Sequence, residues 1–422
     1  MAGPVKTTAS RNSRALEALV RGDAQQALSL AFALEDEALQ TFVTLCAVQE
    51  EPLRDQLAER LARLALASGD FEPAALALAS LSASQHALRD ELARTFAKGS
   101  KRLSSAGVHA PPPLAKPSMP GIRAVTLADL EAKAKGLAGT AAPAASSHPI
   151  APIPVFSELE ANALVRLLGA FEVRIVDKGT RLCSEGEEGL DAYFIAYGSC
   201  TVETDRHGKV GELGPGQIFG EIALLARSPR VASVIAATPV VVLVASRSSL
   251  EDAASDAPEI ATVLAQTTRR RVIESVSRSA PLLRNMAPQE RTRLLSLFEF
   301  RSYERGEYLL RYQDPPKGLF LLASGFVSVT RKEGADTLLL KRLAPGEVLG
   351  EVALVLRRRA NADVTADSPT LCLFLAEARF LELVEAHPLV LRHLYLTAIA
   401  RDAETERART EEASAAEPYV LV

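Results

Sequence analysis

The chain has no tryptophan, and only 5% of its residues are aromatic. Ala, Leu and Val must therefore do most of the packing. Four cysteines, Cys46, Cys183, Cys200 and Cys372, lie far apart, with no CxxC pair and no Cys/His cluster. That excludes a readable disulfide framework or zinc site and points to a reducing compartment. The six histidines (His86, His109, His148, His207, His387 and His393) are scattered. None stands at metal-ligand or triad spacing, and no nucleophile–base pair is visible, so neither enzyme chemistry nor a metal is expected. An excess of basic charge is also missing. Formal net charge is −4, from 48 Lys+Arg against 52 Asp+Glu, which argues against DNA as a nonspecific partner. No apolar run approaches the roughly 18 residues of a membrane span. Met1–Arg14 carries charge without an apolar core, unlike a secretory leader. The expectation is a soluble, cytoplasmic chain of several domains, with an Ala- and Arg-rich composition that suggests a bacterial genome.

What is present falls into blocks. Over residues 1–104 apolar residues recur at helical spacing, as in Leu16, Leu19 and Val20, or Leu57, Leu61 and Leu64. Gly22-Asp23 and Gly69-Asp70 each mark a helix break with Asp placed as N-cap. An Ala/Leu-rich run follows each break. This resembles a degenerate tetratricopeptide-type hairpin repeated twice, which implies a docking surface for a protein partner; an ordinary helical bundle is the alternative. Residues 105–154 are rich in Pro, Ala, Ser and Gly and read as a linker. Thr126-Leu127-Ala128-Asp129-Leu130 starts one short helix within it, as a spacer or an interaction motif.

From residue 155 the chain is a tandem duplication. PGQIFGEIALL, from Pro215, is matched by PGEVLGEVALV, from Pro345, and Gly179, Gly198, Gly306 and Gly325 stand at corresponding turns. Short β-branched runs between Gly turns predict antiparallel barrels. The boundaries read as 155–278 and 279–405, with an acidic tail over 406–422. A helix over about 158–168 precedes the first barrel, and one over about 258–277 links the two. The fold class is multi-domain α+β.

Phe219-Gly220-Glu221-Ile222-Ala223-Leu224, followed by Pro229-Arg230-Val231-Ala232-Ser233, is the motif that carries chemistry. It resembles the phosphate-binding cassette of the cyclic nucleotide-binding domain family, the sensor module of cyclic-AMP-dependent kinase regulatory subunits. The resemblance covers both β-rich copies and implies jelly-roll-like barrels whose regulatory ligand is cyclic AMP or cyclic GMP, with no other cofactor. The residues suit that ligand. A helix opening at Gly220–Ala223 offers unpaired N–H groups to a phosphate, Glu221 can accept from a ribose hydroxyl, and Arg230 can pair with the phosphodiester. A plain Glu221–Arg230 salt bridge is the alternative. The family places Thr after the arginine where guanine is favoured; Val231 stands there, so adenine is preferred.

The second cassette departs from the pattern. Ala360 stands opposite Arg230, Asn361 opposite Val231, Asp363 opposite Ser233 and Leu349 opposite Phe219. A weak second site would use Gly350, Glu351, Ala353 and Arg359, with Arg359 swung inward; a solvated tip is the plainer reading of Arg357-Arg358-Arg359. No recognition helix follows the second copy, and the linker holds only Arg123 where a kinase-inhibiting segment would be Arg-rich. The expected function is a cyclic nucleotide receptor that signals to a protein partner. A scaffold that has lost ligand binding is the alternative.

Overall fold

The computed structural model describes residues 5–82, 84–103, 127–141, 150, 152–205, 208–222, 229–284, 286–333 and 336–416. Described residues of Met1–Ser184, Leu190–Glu221 and Ala232–Thr267 form one compact unit; those of Glu185–Gly189, Ile222–Val231 and Thr268–Val422 form another.

The first unit opens with six helices: α1 (Val5–Val20), α2 (Ala24–Ala31), α3 (Glu37–Ala47), α4 (Glu51–Ser68), α5 (Phe71–Ser80) and α6 (His86–Phe96). Asp23 caps α2 by accepting from the Gln26 amide, and Asp36 caps α3 by accepting from Ala38 and Leu39. Gly69 ends α4 in the left-handed region at φ 83°. Asp70 takes the N-cap position of α5 but makes no side-chain capping bond there. The pairs flanking each Gly-Asp break, α1 with α2 and α4 with α5, pack as neighbours.

α7 (Leu127–Gly139) is no loose spacer. It packs on α4 and α2, burying Leu130 and Ala134. Lys135 pairs with Glu50 at 3.1 Å, Lys133 lies over the Phe32 ring, and Arg60 donates to the Thr140 carbonyl at 2.6 Å. The proline run and Thr126 lie outside the described residues.

After α8 (Ala161–Gly169) come eight strands: β1 (Glu172–Val176), β2 (Arg181–Cys183), β3 (Asp191–Tyr197), β4 (Cys200–Thr204), β5 (Gly208–Leu213), β6 (Ile218–Phe219), β7 (Ser233–Ala236) and β8 (Val240–Ser246). They form two antiparallel sheets, ordered β1-β8-β3-β6 and β2-β7-β4-β5. The core holds Tyr193 and Ile195 with Val240, Val242 and Val244 from the first sheet, and Cys200, Val234 and Ala236 from the second. Alternate residues of a strand share a face, so Phe194 points the other way. It meets Phe71 of α5 and Phe156, which stands just before α8. The helical region thus covers one wall of the sandwich. Helices α9 (Arg247–Asp256) and α10 (Glu259–Ser279) follow.

The second unit repeats this plan. It contains the latter half of α10, α11 (Pro288–Leu295), then β9 (Glu299–Tyr303), β10 (Tyr308–Leu310), β11 (Gly318–Ser324), β12 (Val327–Glu333), β13 (Asp336–Leu343) and β14 (Val348–Leu349). Next come α12 (Glu351–Val355), β15 (Asp363–Ala366), β16 (Thr370–Ala376), α13 (Glu377–Ala386) and α14 (Pro388–Ala416). The sheets are ordered β14-β11-β16-β9 and β10-β15-β12-β13. Each strand therefore occupies the place of its counterpart in the first copy. In both copies the sheets face each other in a jelly-roll-like sandwich and do not close into the barrel that the strand pattern predicts.

Within this unit Phe320 and Leu322 of β11 face the sandwich interior, with Leu309, Val327, Leu349 and Val364. Leu319 and Leu321 face a helical layer that contributes Val272, Ile273 and Val276 of α10, Phe380 of α13 and Val390 and Leu394 of α14. The interdomain helix is thus built into the second core. α14 runs to Ala416, so most of the predicted acidic tail is helical.

Candidate functional site

In the first cassette β6 pairs with β3, setting Phe219 opposite Tyr193 with rings stacked 4.7 Å apart and 4° from parallel. Gly220 follows at φ 86°, a conformation only glycine adopts freely. Glu221 then enters a helical turn and is 7% exposed. Ala223 and Leu224 lie outside the described residues. Ala232 and Ser233 lead into β7, where Ser233 is buried opposite Glu203. The described residues among these all belong to the first unit.

Ile222, Pro229, Arg230 and Val231 belong to the second unit. Ile222 packs against that unit's helical layer. Pro229 bridges to Glu188, the Arg230 amide donates to the Glu187 carbonyl at 2.8 Å, and the Gly186 amide donates to the Arg230 carbonyl at 2.9 Å. This pair of backbone bonds fixes Arg230, whose side chain is 6% exposed, while Val231 is 40% exposed. Arg and Glu are seldom buried unless something repays their desolvation.

The second cassette has the same frame. The Ala360 amide donates to the Asp314 carbonyl, and the Gln313 amide donates to the Ala360 carbonyl, each at 2.9 Å. Ala360 therefore occupies the backbone position of Arg230, with a methyl group in place of a guanidinium. Gly350 keeps the left-handed turn at φ 85°. A cavity of about 90 Å³ opens here, lined by Gly350, Glu351, Ala353 and Ala360, with apolar walls that include Leu310, Val329 and Val364. Arg359 is not among the lining residues. Its guanidinium donates to the Gln313 carbonyl at 2.8 Å, and Arg357, Arg358 and Arg359 are all exposed, the arrangement of a solvated tip.

One lining residue escaped the sequence reading. Arg401 of α14 donates to Glu351 at 2.7 Å and to the Val348 carbonyl at 2.5 Å, and lies 3.5 Å from Glu347. Glu351 itself is 1% exposed. A signal for it was available: the offset that relates Glu221 to Glu351 also relates Arg271 to Arg401, and Pro258 to Pro388. In the linking helix, Arg269 donates to the Phe298 carbonyl at 3.1 Å and lies over the Phe300 ring at 4.7 Å.

Among the described residues no group of His, Cys, Asp and Glu could hold a metal ion, and no helix is long and apolar enough to cross a membrane. None of the four cysteines forms a disulfide. Burial pushes Cys200 up to about 11 and Cys372 up to about 12, which suits packing and not nucleophilic attack.

Comparison with known proteins agrees with this geometry. Residues 173–256 and 300–387 match the family described as the cyclic nucleotide-binding domain. A cAMP-dependent protein kinase regulatory subunit of Colletotrichum orbiculare is 29% identical over 244 residues, covering 54% of this chain and 60% of the relative. One from Neurospora crassa is 30% identical over 215 residues, covering 48% and 53%. A cyclic nucleotide-gated potassium channel of Rhizobium etli is 38% identical over 122 residues, covering 29% and 34%. The chain spans about half the length of the curated relatives it matches. Those regulatory subunits are eukaryotic and lend the bacterial expectation no support. The regulatory domain of Toxoplasma gondii PKA, solved with cAMP, is 24% identical and covers 58% of this chain and 92% of its own, at a TM-score of 0.30; no argument rests on that superposition. Two matched segments, a repeated strand order and a repeated cassette frame agree: over residues 173–256 and 300–387 the chain is similar to the cyclic nucleotide-binding domain, in two tandem copies.

Proposed function

We propose that the chain is a non-catalytic cyclic nucleotide receptor whose first domain takes the ligand, with cyclic AMP preferred over cyclic GMP. The observation that carries this reading is the first cassette itself, which keeps both Glu221 and Arg230 and buries both. Glu221 accepts from the ribose hydroxyl, Arg230 pairs with the phosphodiester, and Gly220 lets the sugar approach the backbone. Val231 gives a guanine no hydrogen bond, which favours adenine. The signal passes along α10, whose latter half is part of the second core, and on to a protein partner. The helical region supplies the docking surface, on faces other than the one that Phe71 presents to β3. Cytoplasmic residence accords with four cysteines that form no disulfide.

The test is calorimetric titration of the full chain and of Arg230→Ala with cyclic AMP and with cyclic GMP. One site, filled more tightly by cyclic AMP and weakened about tenfold or more in the variant, is expected of a lost charge-assisted contact. Absence of binding to the native chain would favour the scaffold reading.

A further inference from the structure

The second cavity stands on a preserved frame with its arginine missing, and the chain's own C-terminal helix fills the gap in charge. Arg401 spends its guanidinium on Glu351, Glu347 and the Val348 carbonyl. The next residue, Asp402, pairs with Arg358 and accepts from Asn361 Nδ2 at 3.3 Å. Glu351 opens the cassette, and Arg358 and Asn361 belong to its far arm. The helix is thus held at both ends of the segment that, in the first copy, carries Glu221 and Arg230. Thr405 and Glu404 complete the lining on the same side.

We propose that α14 is an intramolecular latch that closes the second cavity without a ligand, with Arg401 and Asp402 as its two anchoring side chains. The charge balance supports this. The lining carries two basic groups, Lys341 and Arg401, and two acidic ones, Glu351 and Glu404, so it offers an anion no net positive charge. A phosphodiester anion entering there meets no arginine at position 360 and must displace Arg401 from a carboxylate that is 1% exposed. Removing one member of a buried ion pair strands the other. The ligand is therefore excluded and the helix retained by the same contact. The second domain then takes no ligand of its own.

This inference concerns the second domain alone, and its test is arranged to stand whether or not the first domain binds. Backbone hydrogen exchange is followed in the full chain, in Arg401→Ala/Asp402→Ala, in the milder Arg401→Lys, and in Arg230→Ala. In the double variant, exchange at 350–361 and at 395–405 is expected to rise about tenfold or more, as in local opening. Strands β3 and β8 of the first domain should keep their protection, which separates unlatching from failure to fold. Arg401→Lys keeps the charge but cannot reach three acceptors, so it should lie between. Cyclic AMP at millimolar concentration should leave 350–361 of Arg230→Ala unchanged. Unaltered exchange in the double variant overturns the latch. So does protection of 350–361 by cyclic AMP in Arg230→Ala, which would make the cavity a ligand site.

Discussion

Phe71 of the helical region meets Phe194 of the first sandwich edge-on, with ring centroids 5.6 Å apart. Phe156 fills the corner, 4.7 Å from Phe71 and 5.3 Å from Phe194, and Phe96 closes on Phe71 from another side at 5.5 Å. Edge-to-face rings at these distances add to the burial of their area. A region expected to be a separate docking arm is thus part of the first domain's wall.

That contact yields a stability prediction. Phe71 is 2% exposed, and its truncation to Ala removes the ring from all three neighbours. Phe71→Ala is expected to cost about 3–5 kcal/mol. It should also raise hydrogen exchange in β3, since the helices and the sandwich share the core. Unchanged exchange in β3 would mean that the helical region folds on its own.

The same interface carries a pH dependence. Burial raises the Glu72 carboxyl above its ordinary 4.5, with the charge of Asp70 adding to the rise. Burial likewise raises Asp36 above 3.8, against the lowering by its capping bonds to Leu39 and Ala38. Burial, then Asp36, Glu72 and Asp70, pushes Tyr197 well above 10.0. A raised carboxyl favours folding in its protonated form. Its contribution is complete below the ordinary value and is lost as pH rises through the raised one. Glu72→Gln is therefore expected to raise the melting temperature at pH 7 and to give no gain near pH 4. Melting curves of both proteins at the two pH values check the sign.

Gly350 offers a third test. Its φ of 85° is left-handed, and a Cβ there would run into the carbonyl oxygen of Gly318. Left-handed backbone alone costs a non-glycine residue about 1–2 kcal/mol, and the clash adds to it. Gly350→Ala should lower the midpoint of denaturant unfolding and loosen β14 against β11. A midpoint equal to that of the native chain would show that the turn relaxes at no cost.

Much of this architecture was legible in residue order, and the exceptions have physical causes. The duplication could be read because Pro, Gly and β-branched residues have local conformational preferences that repeat with the sequence. The same holds for Asp23 and Asp36, whose caps are decided within three residues. α14 reaches into the expected acidic tail because Ala, Arg and Glu continue the helix by propensity beyond the end of its apolar periodicity near Ala400. Docking of α7 rests on Leu130 and Ala134 meeting α4, and a stripe of two residues does not announce its partner. Arg401 was missed for a similar reason. Its acceptors Glu347 and Glu351 lie some fifty residues earlier, and only the fold brings them together. Arg359, by contrast, lies next to the cavity residues in sequence, but its guanidinium goes to the Gln313 carbonyl, in line with the solvated tip that a run of three arginines suggests.

The last prediction concerns transmission. α10 enters the second core through Val272, Ile273 and Val276, and Arg269 ties it to β9 through the Phe298 carbonyl and the Phe300 ring. An arginine with both a carbonyl acceptor and an aromatic face is held in one orientation. Under the proposed transmission, movement of α10 on ligand binding pulls on residues 298–303. Arg269→Ala, which alters no cassette residue, is expected to keep cyclic AMP affinity within a few-fold. It should abolish the change in hydrogen exchange that cyclic AMP produces at 298–303 in the native chain. Calorimetry and exchange on the same samples separate the two readouts. If the variant still transmits the change to 298–303, the signal does not travel through Arg269, and the packed face of Val272, Ile273 and Val276 carries it instead.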